Sequence, residues 1–460
     1  MKVWAETPRD RGWLVGIIFF ILGLGTLLPW NFFMTASMYF NSRLNKAELS
    51  NGTVAARKEY YFDNWMTLLS QLPVLLCTLL NSFFYQRIPE MVRLAGSMIF
   101  IFLLFVLTAI LVKIPMEEDR FFTVTMVTIW FINSFGAVLQ GSLFGLVGQL
   151  PQKYSTLFMS GQGLAGTFAA IAMLISIASD TDPETAALGY FITPCVGTLV
   201  TLICYLLLPR LEFAQFYLDK NRSYEVETTD VLLKESSTVD NEKPNDQANG
   251  HPPHLAASDE MVEGTTETTP NQAFVRLEPA GDRDKSSVME VFKKIWVKAF
   301  CVTFVFTITL AVFPAITVDV KTKFLGKWEP YFIPVCCFLL FNVGDWMGRT
   351  VTSLVQWPPK ESRLLPVLVV SRVVFVPLLM LCNVQKRSHL PVLFNHDAIF
   401  TIFMALFSLS SGYCVCLSMS YAPQLVAPKD AETAGALMTF FLALGLSLGA
   451  ALSFLLRLLV

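Results

Sequence analysis

The sequence predicts an all-α polytopic membrane protein with eleven transmembrane helices in a six-plus-five arrangement. Three observations carry this. Of 460 residues, 54% are hydrophobic and only 15% charged, where a soluble chain has about 25% charged residues. The apolar residues fall in runs of the roughly 20 residues that a helix needs to cross a bilayer. One long acidic segment divides the runs, with six before it and five after.

The spans are expected at about 13–34, 64–86, 92–114, 121–148, 156–178, 187–209, 294–317, 330–354, 364–383, 395–421 and 433–459. The first run, from Trp13 to about Met34, is too long for the apolar part of a signal peptide and lacks a small-residue cleavage site. It is read as a retained helix. An odd count places the termini on opposite sides. Basic residues set the direction, because they collect in cytoplasmic loops. Lys2, Arg9 and Arg11 precede the first span, and Arg87 and Arg93 lie between the second and third. Lys285, Lys293, Lys294 and Lys298 lead into the seventh, and Lys360 and Arg363 join the eighth to the ninth. All share one side if the N-terminus is cytoplasmic and the C-terminus extracellular. Arg43, Lys46, Arg57, Lys58, Lys321, Lys323 and Lys327 then fall outside and weaken the bias. The sequon Asn51-Gly52-Thr53 also falls outside, which makes Asn51 a glycosylation candidate.

Between Leu211 and Glu290 there are 17 acidic and 7 basic residues, a net of −10, which leaves about +8 on the rest of a chain of net −2. This stretch is rich in Ser, Thr, Asn and Pro and poor in aromatics. It cannot bury a core and is expected to be disordered. The expected organisation is an N-terminal six-helix bundle over 1–210, an acidic cytoplasmic loop over 211–292 and a C-terminal five-helix bundle over 293–460. That layout matches secondary carriers built from two bundles.

The candidate site centres on Phe341-Asn342-Val343-Gly344-Asp345-Trp346-Met347-Gly348-Arg349. Asp345 and Arg349 fall near the middle of the eighth span, four residues apart, so one helix face carries both. A charge at that depth costs about 2.5–3.5 kcal/mol on insertion scales. Pairing and a facing polar cavity both lower that cost, so the pair reads as a site in a path through the membrane. The alternative is an ion pair that only locks helix packing.

Other residues join it. Pro29 in the first span removes a backbone donor and is expected to kink the helix beside Trp30 and Asn31. Trp30 offers a flat face to an aromatic ligand; its bland role is an interfacial anchor. Gln140 in the fourth span carries donors and an acceptor that can read a heterocycle edge, or else bond a neighbouring helix. Ser160-Gly161-Gln162-Gly163-Leu164-Ala165-Gly166 reads as close packing, as do the GxxxG pairs Gly141/Gly145, Gly344/Gly348 and Gly445/Gly449. Arg372 lies inside the ninth span and needs a partner or a route to the surface. Arg93 and Glu432 begin spans on the same side and could meet as a gate.

The nine cysteines fall in or beside apolar runs with no metal-ligand spacing and are read as small buried residues. There is no Walker A loop, GxSxG or HExxH, so an enzyme is not expected, and no cofactor, metal or nucleic-acid partner is implied. Intramembrane acids besides Asp345 are scarce. That argues against ion coupling and for passive movement of an uncharged polar solute. A proton-coupled carrier and a receptor or scaffold using its acidic loop are the alternatives.

Five stretches resemble the equilibrative nucleoside transporters. They are Gly23-Leu-Gly-Thr-Leu-Leu-Pro-Trp-Asn-Phe32, Gln140-Gly-Ser-Leu-Phe-Gly145, Ser160-Gly-Gln-Gly-Leu-Ala-Gly166, Phe341–Arg349 and Glu432-Thr-Ala-Gly-Ala436. Asn64–Pro73 and Leu188–Gly197 are more similar to the type 2 subtype than to type 1. The resemblance implies a fold related to the major facilitator superfamily. It also implies sodium-independent, bidirectional alternating-access transport of nucleosides, and of nucleobases, across the plasma membrane. By the same resemblance, Leu27 and Trp30 pack on the nucleobase, Gln140 bonds it, and Asp345 and Arg349 hold the ribose. Met34 and Pro314 match an outer gate, Phe338 and Asn342 flank the site, and Arg93 and Glu432 form the cytoplasmic gate. Leu446 matches a position that affects uridine handling. Gln71 and Val74 stand where type 1 members carry Met and Leu in the inhibitor-binding region, so high nitrobenzylthioinosine sensitivity is not expected.

Overall fold

Without water to satisfy it, a backbone in hydrocarbon must pair its polar groups within the protein, and among the described residues the apolar runs are mainly helical. The structure, a computed structural model, describes residues 9–44, 62–84, 88–178, 183–218, 287–324, 326–385, 387 and 389–460. In the first half, α1 covers Leu14–Thr35, α2 Ser37–Leu44, α3 Phe62–Phe84 and α4 Val92–Lys113. They are followed by α5 at Glu118–Gly148, α6 at Gln152–Ala178 and α7 at Pro183–Leu207. In the second half, α8 covers Val288–Val312, α9 Glu329–Val351, α10 Leu364–Met380, α11 Asp397–Tyr421 and α12 Ala431–Leu459. Asn51, its sequon and the acidic stretch from 219 to 286 lie outside the described residues.

Among the described residues, nine helices are long and apolar enough to cross a membrane: α1, α4 to α9, α11 and α12. The second and ninth of the eleven expected spans correspond to shorter apolar helices, Leu68–Asn81 within α3 and α10 itself. Polar residues at both ends of α3 shorten its apolar part. In α10 a 3-10 turn at Arg372–Val374 interrupts the α-helix.

Within the first half α1 packs on α6, α3 on α5, and α4 on α7; within the second, α8 packs on α12 and α9 on α11. The halves meet where α6 lies on α9 and where α12 lies on α3 and α5. Small residues set these approaches. Any side chain at Gly412 of α11 would overlap the Asp345 carbonyl of α9, and one at Gly344 would overlap the Ser408 hydroxyl. Gly445 and Gly449 of α12 lie equally close to the Thr303 and Thr307 carbonyls of α8. The expected GxxxG faces are therefore packing faces. Aromatic rings fill the first half around Phe33, Phe40, Phe105 and Phe191, with Phe40 stacked on Phe62 at 5.1 Å between centroids. Outward faces carry exposed Leu103, Ile175 and Phe454, as a lipid-facing surface requires.

Pro29 lies inside α1, which runs on as α-helix to Thr35. Arg372 is 1% exposed and finds its partners inside the protein, none of them a carboxylate among the described residues. Its guanidinium donates to Ser410 Oγ at 3.2 Å, the Val305 carbonyl at 3.2 Å, Thr309 Oγ1 at 3.1 Å and the Phe407 carbonyl at 3.2 Å. The Phe407 ring lies 5.0 Å away. Neutral acceptors and a ring face replace water around this cation, and they tie α10 to α8 and α11. Seven of the nine cysteines are buried, consistent with small apolar packing roles.

Candidate functional site

Asp345 and Arg349 are one turn apart on α9, as their spacing predicts, and they pair through Nε and Oδ2 at 2.7 Å. Both are buried, at 8% and 6% exposure. Asp345 Oδ1 and Arg349 Nη2 have no hydrogen-bond partner among the described residues. A buried ion pair with one free acceptor and one free donor edge can take a ligand that both accepts and donates. Vicinal hydroxyls have that chemistry.

The first half closes the site from the other side. Gly163 of α6 faces α9, and an added Cβ would sit 2.8 Å from Trp346 Cα and 3.1 Å from Arg349 Cδ. One turn along, Gly166 faces the amide oxygens of Asn342 on α9 and Asn31 on α1. Side chains here would push α6 off both helices, so glycine brings α1, α6 and α9 to one point. Asn31 donates to the Leu27 carbonyl at 2.8 Å and Asn342 to the Phe338 carbonyl at 2.9 Å. Each amide thus keeps its oxygen turned toward the junction.

Trp30 and Leu27 lie on the same stretch of α1, both half-buried. Leu27 packs on the small cluster of Leu28, Phe32, Ala165 and Ala169. Trp30 has no ring partner or hydrogen bond among the described residues, so its face is unoccupied by protein aromatics. Gln140 is 9% exposed on α5, and its amide has no partner among the described residues. The interhelical bond that would have made it purely structural is not formed. Phe338 lies in a π-helical stretch, Ile333–Leu339, and its ring meets Phe313 beside Pro314 at 5.8 Å. Such stretches often mark functional sites, and no residue pattern in the sequence announces this one.

Arg93 and Glu432 do meet, Nη2 to Oε1 at 3.2 Å. Arg93 sits in a second π-helical turn, Val92–Gly96, and also donates to Ser142 Oγ and the Ile88 carbonyl. Glu432 crosses over Gly145 of α5, where an added Cβ would lie 2.7 Å from Glu432 Cγ. The contact joins α4 and α5 to α12 at the end where α1 begins. A double-mutant cycle of Arg93→Ala and Glu432→Ala should give a coupling of about 1–3 kcal/mol in detergent stability; additive losses would deny the contact any energetic role.

The remaining expected residues are more dispersed. Met34 lies in the last turn of α1 and Leu446 in α12, both half-buried against the main core. Gln71 and Val74 lie on α3, which packs chiefly on α5 and α12. Gln71 Oε1 is buried and has no hydrogen-bond partner among the described residues. Sequence reasoning missed Ser160 and Gln162 as polar contacts. Gln162 receives Arg349 Nη1 at 3.4 Å and donates to Thr26 Oγ1 at 3.2 Å. Ser160 Oγ accepts from Trp346 Nε1 at 3.2 Å and lies 2.8 Å from Thr350 Oγ1. The signal was present as polar residues interleaved with glycines, but the glycines alone explained the segment.

Two packed helical halves around a buried ion pair make a multi-pass helical protein with a major-facilitator-like fold. The fold is similar to that of the proton:xylose symporter XylE, with a TM-score of 0.56 and 10% identity over 97% of this chain and 88% of that one. Residues 126–458 match the family model described as nucleoside transporter. The chain is 54% identical to equilibrative nucleoside transporter 2 of Rattus norvegicus and of Homo sapiens, covering 98% of this chain and of each relative. It is 47% identical to equilibrative nucleoside transporter 1 of Homo sapiens over 99% of both. The chain belongs to the equilibrative nucleoside transporter family, and its similarity is greater to the type 2 than to the type 1 relatives. It is a transporter, not an enzyme.

Proposed function

We propose that this protein moves nucleosides, and nucleobases as well, passively and in both directions across the plasma membrane. Transport is sodium-independent and runs by alternating access of two bundles, 1–210 and 293–460, linked by the acidic cytoplasmic loop. All eleven apolar helices cross the membrane, with the N-terminus cytoplasmic and the C-terminus outside. The observation that carries this reading is the Asp345–Arg349 pair, buried where α6 and α1 of one half meet α9 of the other.

A nucleoside presents a flat base and a hydroxyl-rich sugar. Leu27 and Trp30 supply an apolar wall for the base, and Gln140 an amide for its edge. Asp345 accepts from ribose hydroxyls, and Arg349 keeps the carboxylate oriented while donating to a hydroxyl oxygen. Met34 and Pro314, on helix ends away from Arg93, act as the outer gate, with Phe338 and Asn342 beside the site. Arg93 and Glu432 close the cytoplasmic end. Gln71, Val74 and Leu446 tune inhibitor and substrate preference, and Asn51 carries a glycan.

Uridine and hypoxanthine flux into proteoliposomes tests this. Saturable uptake of both, equal with and without sodium and with and without a pH gradient, is expected. Uptake rising steeply with an inward proton gradient would replace passive exchange with proton coupling. Absence of flux for both solutes would overturn the proposed substrates.

A further inference from the structure

α6 and α9 belong to different halves, so a movement that parts them breaks the bonds between them. Those bonds form a short polar seam. Ser160 accepts from the Trp346 indole and lies against the Thr350 hydroxyl, while Gln162 accepts from Arg349 Nη1. Gln162 differs from the other members because it touches the site itself. It is 2% exposed, and its other end is fixed by donation to Thr26 Oγ1 of α1, which in turn donates to the Gly23 carbonyl at 2.6 Å. A chain of bonds therefore runs Asp345–Arg349–Gln162–Thr26, from one half to the other.

The two bonds of Arg349 respond differently to movement. The bond to Asp345 lies within one helix and survives any rigid shift. The bond to Gln162 spans the halves and does not. At 3.4 Å it is also the longer of the two, so it is the one that yields to competition. A ligand hydroxyl oxygen that accepts from Arg349 Nη1 takes the donor that Gln162 now holds.

We propose that Gln162 is a positioning residue that holds Arg349 while the site is empty, a latch between the halves that a bound sugar releases. This rests on the nucleoside-site reading of Asp345 and Arg349. The latch stabilises the empty carrier in this conformation, so the empty carrier reorients more slowly than the loaded one. Maximal exchange should then exceed maximal zero-trans flux.

The test uses the full chain in proteoliposomes and reads the ratio of exchange to zero-trans maximal rates for uridine. Gln162→Met keeps the length and removes the acceptor; it should raise the zero-trans rate and bring the ratio toward one, a change of about fivefold. Gln162→Glu places a carboxylate against Arg349 and should slow zero-trans flux and raise the ratio. Thr26→Val removes the anchor of the amide and should act like Gln162→Met, more weakly; it decides the matter if the methionine variant does not fold. A merely structural role would lower both rates together and could not move the two Gln162 variants in opposite directions. A wild-type ratio of one, or variants that share the wild-type ratio or shift the same way, overturns the latch. Asp345→Asn separates the two failures. If it leaves the uridine KM unchanged, the site reading fails and the latch with it; if it raises the KM while the ratios stay put, the latch alone fails.

Discussion

Replacing Asp345 by Asn is expected to weaken uridine uptake at low substrate roughly ten- to hundredfold while the protein still reaches the surface. A hydrogen bond to a charged group contributes about 1.5–3 kcal/mol, and each 1.4 kcal/mol is about tenfold in affinity. Asn keeps the shape, and its oxygen can still accept from Arg349 Nε, now 2.7 Å from the Asp345 carboxylate. The buried guanidinium thus retains an acceptor, which limits the folding penalty that follows when one partner of a buried pair is removed outright. Uptake of labelled uridine, normalised to surface-labelled protein, measures the effect. Unchanged uptake would remove the sugar from this pair.

Gly412→Val should abolish transport through packing, with no loss of chemistry. The added Cβ would overlap the Asp345 carbonyl and approach its Cα within 3.0 Å. Backbone cannot rotate away as a flexible side chain can, so α9 and α11 must separate. Overpacking of this kind costs about 1–3 kcal/mol or more, and here it displaces the helix that holds the ion pair. A fall of several degrees in melting temperature together with lost uridine flux is expected. Gly136→Ala on α5 is the matched control. Nothing lies within 4 Å of its added Cβ, and alanine favours helix over glycine by roughly 0.5–1 kcal/mol. That variant should be neutral or slightly stabilised. Equal damage from both would show that the α9–α11 approach is not the reason.

Much of the site was legible before any coordinates. Asp345 and Arg349 are four residues apart on one helix, and local geometry alone brings them together. The three GxxxG faces were legible for a similar reason, since small residues in an apolar helix have few uses besides close approach. Arg372 was legible only as a problem. Its burial could be read from its depth in an apolar run, but the neutral acceptors that answer it come from α8 and α11, 35 to 67 positions away in the chain. The π-helical turns at Arg93 and Phe338 were invisible, because a one-residue change of backbone register leaves no mark on composition.

What the sequence by itself determined is what depends on neighbours along the chain: the class, the apolar spans, the acidic divider, the pairing on α9 and the family. Tertiary structure decided which halves touch and where. Arg93 meets Glu432 across 339 positions, and Arg349 meets Gln162 across 187. Helical periodicity fixes the face of a residue on its own helix but carries no information about the helix opposite. That choice belongs to packing, where Gly163 and Gly166 let α6 approach α9 and α1 closely enough for polar side chains to meet.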